Sequence, residues 1–400
     1  MKLRSLFLLP VLALALAGCC CTAPQPKDSG THFVADAMKP YIQSGECPGV
    51  ISILYKDGVQ ETALLGYADA DKKIPIAMDQ LFMQCSQTKG FCGVTVAILV
   101  EEGKLSLDDP VAKYLPEFKD LKIAVKGKDG KITLVPAKNT LTVRMVMNHT
   151  GGFPFEIPTK GKLGWPALSL RDTAREAAAN PLLFEPGTKM KYSNTGIDIG
   201  AAIVEVVTGK GWDVFLKERV LDPLGMTSST FNPTDEQLKN VIQLYMIKKG
   251  EKAQYMAFAP QMPLPHNGPN VHPSAGAGLW TTAADQYKFY KMLMNLGKGD
   301  NGARILKEET VRNLLATNSR PAGLGNYSLG LAVNGKGEMS HGGAWGTSAR
   351  VNYETKELAL WIIQQRGPRF LRDAWNKAAA QFFSAKTGDS SADAYTGRLK

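Results

Sequence analysis

The sequence has few of the residues and spacings that hold metals or redox centres. Six cysteines occur among 400 residues, and no two are spaced as a CxxC pair, so neither a zinc site nor a dithiol redox motif is predicted. Three of the six adjoin one another at 19–21. The other three, Cys47, Cys85 and Cys92, allow at most one disulfide, and three buried free thiols are the alternative. We expect no metal and no other cofactor.

Long charged runs and membrane-length apolar segments are also missing. The formal net charge is +10, but no basic stretch carries interleaved aromatic residues, so nucleic acid is not expected as a partner. The excess charge has two interpretations: a solvated basic surface, or attraction to anionic envelope polymers or lipids. Beyond the N-terminal region, no segment reaches the length needed to span a bilayer.

The N-terminus has the pattern of a lipoprotein signal peptide. A positively charged start precedes an apolar stretch over 6–17, which ends in Leu-Ala-Gly-Cys at Cys19 and resembles a bacterial lipobox. We predict a signal peptide over 1–18, acylation of Cys19 and a flexible tether over 19–32. The protein would then be exported and anchored on the periplasmic side of the cell envelope, at the outer membrane because the residue after Cys19 is not aspartate. An ordinary cleaved signal with an accidental cysteine is the alternative.

Strand-like segments lie toward both ends of the remaining chain, and helical segments lie between them. Strands are predicted by alternation or short apolar runs between turns at 50–55, 62–67, around 129–130, 328–333, 339–341, 348–353 and 358–364. Helices are predicted at 90–102, 193–208, 212–221, 283–296 and 370–383. We therefore predict an α+β domain over 33–385, in which one antiparallel sheet formed from both chain ends is flanked by helices and by a mostly helical subdomain. A polar tail follows over 386–400.

Ser86 and Lys89 are the candidate nucleophile and base. Three residues apart on a helix, they share one face, so the lysine can reach the serine hydroxyl. A serine becomes a useful nucleophile when a base takes its proton, and a lysine can do so when burial lowers its pKa. This is the only SxxK in the chain. On its own it is also the pattern of a serine that caps a helix.

Tyr192-Ser193-Asn194 is the only YxN in the chain and lies just before a predicted helix. One interpretation is a helix cap, with Ser193 or Asn194 as the capping residue. The functional interpretation makes Tyr192 a proton shuttle near Lys89 and lets Asn194 hydrogen-bond to substrate or to Lys89. A cationic neighbour would lower the pKa of Tyr192 and could make its phenolate a base.

A third motif is expected on a strand that lines the cleft, and four tripeptides compete for it. Lys386-Thr387-Gly388 lies in the polar tail, His149-Thr150-Gly151 precedes a loop, and His266-Asn267-Gly268 lies in a proline-rich loop. His341-Gly342-Gly343 alone lies among the terminal strands. Glycines there let backbone and substrate approach closely, so we choose His341.

In this order, Ser86, Lys89, Tyr192, Asn194 and the HGG segment resemble the serine β-lactamase and penicillin-binding-protein superfamily. The YxN form is similar to its class C β-lactamase branch and the related esterases and D-aminopeptidases. The likeness extends over roughly 33–383, and these further segments are typical of the family: 141–144, 149–153, 184–187, 223–226 and 275–282.

The resemblance implies a β-lactamase/transpeptidase-like fold and an acyl-enzyme formed on Ser86, with Lys89 and Tyr192 sharing the acid–base work. The backbone N–H groups of Ser86 and Ala344 would form the oxyanion hole, where loss of one donor typically costs about a hundred- to a thousandfold in turnover. His149 is interpreted as structural. Substrate would contact Asn194, His341, Gly342 and Gly343.

One position departs from the family. β-Lactamases and D-Ala carboxypeptidases usually begin the third motif with lysine, whose charge helps to hold a substrate carboxylate. His341 is mostly uncharged at neutral pH, so this anchor is missing unless Arg350 or another cation supplies it. We predict a hydrolase of small-molecule or peptide esters or amides, D-amino-acid peptides included. The alternatives are a β-lactamase or D-Ala carboxypeptidase, and a non-catalytic lipoprotein that binds cell-wall fragments or a partner. The sequence predicts no oligomeric state.

Overall fold

The structure, a computed structural model, describes residues 32–157, 168–257 and 272–385. The predicted signal peptide, Cys19, the polar tail with Lys386, and His266 lie outside the described residues, as does nearly all of the predicted tether. None of the described helices is long and apolar enough to cross a membrane.

The strands of the main sheet lie toward both ends of the described chain, and most of the helices lie between them. The helices are α1 Phe33–Ser44, α2 Thr88–Glu101, α3 Val143–Met147, α4 Leu170–Ala179, α5 Asn194–Thr208, α6 Trp212–Leu216, α7 Asp235–Leu238, α8 Ala283–Met294, α9 Glu308–Thr310 and α10 Phe370–Ser384. The strands are β1 Gly49–Lys56, β2 Val59–Asp69, β3 Ile74–Pro75, β4 Phe82–Met83, β5 Lys122–Lys126, β6 Ile132–Pro136, β7 Leu244–Met246, β8 Gln254–Met256, β9 Trp280–Thr281, β10 Ala332–Val333, β11 Glu338–Gly342, β12 Ser348–Asn352, β13 Glu357–Ile362 and β14 Gln365–Arg366.

The main sheet is built from both ends of the chain, as predicted. Its seven strands run in the order β10-β11-β12-β13-β1-β2-β3, and the central pair joins β1 to β13 antiparallel, with Ile51 opposite Ile362. The expected α+β architecture, with one antiparallel sheet formed from both chain ends, is confirmed. The hairpins predicted at 50–67 and around 129–130 are β1–β2 and β5–β6.

Each face of the sheet packs against its own helical layer. Side chains alternate along β1, so Val50 and Leu54 pack with α1 and α10, while Ile51 and Ile53 face the core of α2, α5 and α8. The catalytic candidates of α2 and α5 therefore belong to the second layer, beside β11.

The strand predicted at 328–333 is wrong over most of its length, because only Ala332–Val333 is a strand. Leu329 and Leu331 are fully buried, so the apolar run reflects burial rather than strand alternation. Between them Gly330 has φ +78°, and a Cβ there would lie 2.1 Å from the carbonyl oxygen of Lys89. The chain turns here against α2 instead of extending.

Several elements of the described chain were not predicted. Among them are α1, which contains Pro40, the helices α4, α7 and α9, and two small sheets, β14-β7-β8 and β4-β9, whose strands have two or three residues. Proline inside a helix and strands this short give weak sequence signals. Of the two alternatives for the cysteines, one disulfide or three free thiols, the structure shows the second: Cys47, Cys85 and Cys92 are buried free thiols.

Candidate active site

Ser86 lies in a single 3-10 turn, Cys85–Gln87, that leads directly into α2. Its predecessor Cys85 has φ +53°, a left-handed conformation that costs a non-glycine residue about 1–2 kcal/mol. The turn presents the Ser86 side chain at the start of the helix without using it as a cap, because neither the turn nor α2 has a side-chain cap hydrogen bond. The helix-cap interpretation of Ser86 is therefore not supported.

Lys89 is fully buried and is surrounded by oxygen atoms. Its Nζ lies 3.3 Å from Ser86 Oγ, 2.6 Å from Asn194 Oδ1 and 2.6 Å from the Gly276 carbonyl oxygen. Burial lowers the pKa of Lys89 to about 7, against the opposing influence of the Asp198 carboxylate. This is the lowering by burial that the sequence analysis requires of a lysine base.

This arrangement suits a base. A neutral amine has two N–H donors and one lone pair. The oxygen atoms of Asn194 and Gly276 can only accept hydrogen bonds, so they take both donors. The lone pair is then left for the Ser86 hydroxyl proton. With a pKa near neutrality, Lys89 can both take up and release that proton.

Ser193, rather than Asn194, caps α5. The Ser193 hydroxyl accepts a hydrogen bond from the N–H of Gly196 at 3.0 Å, which satisfies one free donor of the first turn. Asn194 is the first residue of the helix, and its side chain is turned to Lys89. Ser193 is therefore the residue that caps the helix, and Asn194 is the residue that contacts Lys89.

Asp198, which the sequence analysis missed, fixes the second oxygen partner of Lys89. It lies one helical turn after Asn194, and its Oδ1 accepts the Gly276 N–H at 3.0 Å and the Ser274 hydroxyl at 3.2 Å. These bonds hold the turn whose carbonyl accepts from Lys89. The spacing of four residues from Asn194 on one helix face was the available signal.

Tyr192 contacts both members of the pair. Its ring centroid is 4.5 Å from Lys89 Nζ. Burial raises the pKa of Tyr192 to about 12, while a hydrogen bond with Ser86 acts in the opposite direction. The expectation that a cationic neighbour would lower this pKa is wrong, because desolvation of the phenolate outweighs it. At neutral pH Tyr192 is therefore a phenol.

His341 lies on β11 across from Tyr192 and is held in one tautomer. Its Nδ1 lies 2.7 Å from the Gly342 carbonyl oxygen, so this nitrogen carries the proton. Nε2 accepts from the hydroxyl of Tyr327 at 3.0 Å and lies 3.5 Å from that of Tyr192. Burial lowers the pKa of His341 to about 3. The side chain is neutral, as expected, and Tyr327 is a second residue that the sequence analysis missed.

The end of β11 lies against the nucleophile turn. Gln87 Nε2 donates to the His341 carbonyl oxygen at 3.1 Å. A Cβ on Gly343 would lie 2.4 Å from the Gln84 carbonyl oxygen, so only glycine fits there. The backbone N–H groups of Ala344 and Trp345 lower the pKa of the Cys85 thiol, although burial dominates and raises it to about 12. Ala344 is therefore beside the turn, while its oxyanion role remains a prediction.

Two of the other residues considered, His149 and Arg350, are not among the hydrogen-bond partners of Lys89. The ring of His149 lies 4.5 Å from that of Tyr192 and 4.8 Å from that of Tyr327, and burial holds its pKa well below the usual range. It is a packed, neutral ring, which agrees with a structural role. Arg350 lies on the opposite face of the sheet, 5.2 Å from the ring of Phe383 and 3.8 Å from Glu338. It supplies no carboxylate anchor.

The chain is similar to known proteins over most of its length. A family model described as Beta-lactamase matches residues 34–382. Protein Rv1367c of Mycobacterium tuberculosis (strain ATCC 25618 / H37Rv) is 26% identical over 360 residues, covering 82% of this chain and 88% of that protein.

Two solved structures are similar in fold. EstCE1, a hydrolase with promiscuous acyltransferase activity, has a TM-score of 0.68 at 22% identity, covering 86% of this chain and 97% of its own. Unliganded simvastatin synthase (LovD) from Aspergillus terreus, as the selenomethionyl derivative, has a TM-score of 0.73 at 16% identity, covering 89% of this chain and 98% of its own.

Proposed function

The chain belongs to the beta-lactamase family, and on that premise we propose that it is a serine hydrolase that forms an acyl-enzyme on Ser86. The observation that carries the proposal is the contact of Lys89 Nζ with Ser86 Oγ, in a lysine that is fully buried and held by two further oxygen atoms. Those contacts orient the lone pair of Lys89 toward the serine, as a base requires.

In the proposed reaction, Lys89 takes the Ser86 proton as Oγ attacks the substrate carbonyl carbon. Tyr192, a phenol at neutral pH, donates its proton to the leaving oxygen or nitrogen, and the Lys89 ammonium returns a proton to the phenolate. Water then hydrolyses the acyl-enzyme by the reverse sequence. The N–H groups of Ser86 and Ala344 are proposed to stabilise the oxyanion, and Asn194 with the 341–343 segment is proposed to contact substrate.

We propose esters or amides without a required carboxylate as substrates, D-amino-acid peptides included. The neutral His341 and the position of Arg350 on the far side of the sheet support this choice over a β-lactam, whose carboxylate would lack the usual cation. EstCE1, which shares the fold, is a hydrolase with promiscuous acyltransferase activity. That activity is consistent with an acyl-enzyme that can pass its acyl group to water or to another acceptor.

Two probes test the nucleophile. The protein is treated with a fluorescent fluorophosphonate and, separately, with a fluorescent penicillin, and Ser86→Ala is compared with Ser193→Ala. We expect fluorophosphonate labelling of the wild type, no labelling of Ser86→Ala, and labelling of Ser193→Ala if that variant is folded by circular dichroism. An unlabelled but folded wild type would contradict the enzyme proposal and favour a non-catalytic binding protein.

Turnover separates the substrate classes. We expect a p-nitrophenyl ester to be hydrolysed with a kcat/KM well above that for a chromogenic cephalosporin. The reverse order would restore the β-lactamase alternative. A D-alanyl p-nitroanilide, compared with its L-isomer, tests for D-amino-acid amides.

We also propose that the chain is a lipoprotein of the cell envelope acylated at Cys19, which rests on the sequence pattern alone. Metabolic labelling with a palmitate analogue is expected to mark the wild type and to be lost in Cys19→Ala. A label that persists in Cys19→Ala would move the modification to a neighbouring cysteine or contradict the lipobox.

A further inference from the structure

The β5–β6 hairpin, residues 122–136, has one packed face and one exposed face. Cross-strand partners point to the same side of a sheet, so Ile123 shares its face with Val135, and Lys126 shares the opposite face with Ile132. Ile123 is 6% exposed and bridges Leu182 of the body. Ile132, on the outward face, is 69% exposed. Because the hairpin packs against the body by one face, its other face is free to contact a partner or a surface.

That outward face is apolar where surfaces are usually polar. Leu134 is 50% exposed beside Ile132, and on the other side of the hairpin Val125 is 45% exposed. Leu183, which follows the residue that bridges Ile123, is 46% exposed. Ile132 and Leu134, two residues apart on β6, therefore form an exposed apolar pair on the outward face, and exposed apolar residues grouped on one face can mark a contact surface.

Lysines surround this apolar surface. The segment 119–138 contains six lysines and two aspartates, and of the aspartates Asp129 lies 3.8 Å from Lys131. Lys122, Lys126 and Lys128 form no ion pair among the described residues. This excess of positive charge lies on the same segment of the chain as the exposed Ile132 and Leu134.

A basic cleft lies at the foot of the hairpin. It has a volume of about 330 Å³, and its lining includes three lysines and one aspartate, Lys119, Lys122, Lys138 and Asp120, together with Phe118 and Pro136. A cleft of this composition suits an anionic headgroup, since ammonium groups can meet the phosphate while apolar walls meet the upper part of the lipid.

We propose that the β5–β6 hairpin docks on an anionic lipid bilayer, placing Ile132 and Leu134 among the headgroups and the surrounding lysines at the charged surface. Lysine side chains can hold apolar stems in an interface while their ammonium groups stay hydrated. Protein–protein interfaces are instead depleted in lysine, so a membrane fits this composition better than a protein partner does. The proposal does not rest on the chemistry of Ser86.

A site-specific fluorophore tests the docking. The full chain, with Cys19→Ala, Cys20→Ala and Cys21→Ala, carries one added cysteine labelled with the environment-sensitive dye NBD. The test position is Ile132→Cys. The matched control is Val214→Cys on α6, where the valine is 47% exposed. The cysteines within the described domain are buried, and both proteins share one N-terminus, so binding through the leader is common to both.

With vesicles of phosphatidylcholine containing about 30 mol% phosphatidylglycerol, we expect NBD emission to rise at position 132 and to stay constant at position 214. Neutral phosphatidylcholine vesicles are expected to give little change, and salt well above physiological strength should reverse the effect because it screens the lysines. Neutralising Lys126 and Lys128 with Lys126→Gln and Lys128→Gln should weaken binding about fivefold for each lysine.

Several results would overturn the proposal. Equal responses at 132 and 214, or no preference for anionic vesicles, would exclude docking by this hairpin. A rise at 132 that depends on protein concentration without vesicles would assign the surface to a second copy of the chain instead. Circular dichroism of each variant confirms that the comparison is between folded proteins.

Discussion

Two lysines of the described residues are buried, and only one of them contacts Ser86. Lys89 is 0% exposed and Lys291, on α8, is 6% exposed. Burial lowers the pKa of Lys89 to about 7 and that of Lys291 to about 8. Their contacts differ: Lys89 Nζ meets three oxygen atoms, whereas Lys291 Nζ lies 2.9 Å from the ring centroid of Tyr55. A lowered pKa shows desolvation, and the partners decide whether the amine can act as a base.

The largest expected difference in kcat/KM is between the variants that lack one or the other of these lysines. Lys89→Met should reduce kcat/KM for a p-nitrophenyl ester about a thousandfold, because the Ser86 proton loses its acceptor. Lys291→Met should stay within about twofold of the wild type, because no reacting group contacts it. Steady-state kinetics measures both. Comparable losses in the two variants would mean that burial, rather than the oxygen contacts, determines function.

The aromatic neighbours of the two lysines give the next largest contrast. Tyr192→Phe removes the proposed acid and should lower kcat about a hundredfold, with a greater loss on a p-nitroanilide than on a p-nitrophenyl ester, whose leaving group needs no proton. Tyr55→Phe keeps the ring beside Lys291 and should leave kcat unchanged. An equal loss on both substrates would assign Tyr192 to positioning rather than to proton donation.

The carboxylates that oppose each pKa shift sharpen the comparison further. Asp198 raises the pKa of Lys89, and Asp300 raises that of Lys291. Asp198→Asn should therefore lower the pKa of Lys89, so that the neutral amine persists to lower pH and the acidic limb of kcat/KM moves to lower pH. Asp300→Asn should leave the profile in place. A profile that does not move in Asp198→Asn would mean that its acidic limb reports another group.

The smallest effect is expected in stability. Between the folded-state pKa of about 7 and the ordinary value of 10.5 for Lys89, the unfolded chain binds more protons than the folded one, so stability should rise with pH. For Lys291 the same window begins at about 8. Urea unfolding across this range should show a shallower rise in Lys89→Met and in Lys291→Met than in the wild type. An unchanged slope in both would show that neither amine is deprotonated on folding.

The sequence revealed the parts of this site whose side chains belong to residues only two or three positions apart in the chain. Ser86 and Lys89 are three residues apart, and Tyr192 and Asn194 are two apart, so local spacing was enough to pair them. The sheet followed from strand patterns at both chain ends, although the apolar run at 328–333 shows that burial can imitate a strand.

The missing parts depend on tertiary structure. Gly276 acts through its carbonyl oxygen, 187 residues from Lys89, and a backbone group has no sequence signature. Tyr327 reaches His341 through the turn before β10, which spacing could not foresee. The pKa of Tyr192 was expected to fall because a charge was considered without the cost of burying a phenolate.

The pairing of β1 with β13 has a consequence for synthesis of the chain. The register that sets Ile51 opposite Ile362 leaves the N-terminal hairpin without its central neighbour until nearly the whole sequence has been translated. Closing so long a loop costs chain entropy and slows folding. Strand β11, which carries His341, is connected to the N-terminal hairpin only through β12 and β13. We therefore expect chains released before β13 is made to lack a completed sheet. Acquisition of activity on a translating ribosome would then report the emergence of β13 rather than of Ser86.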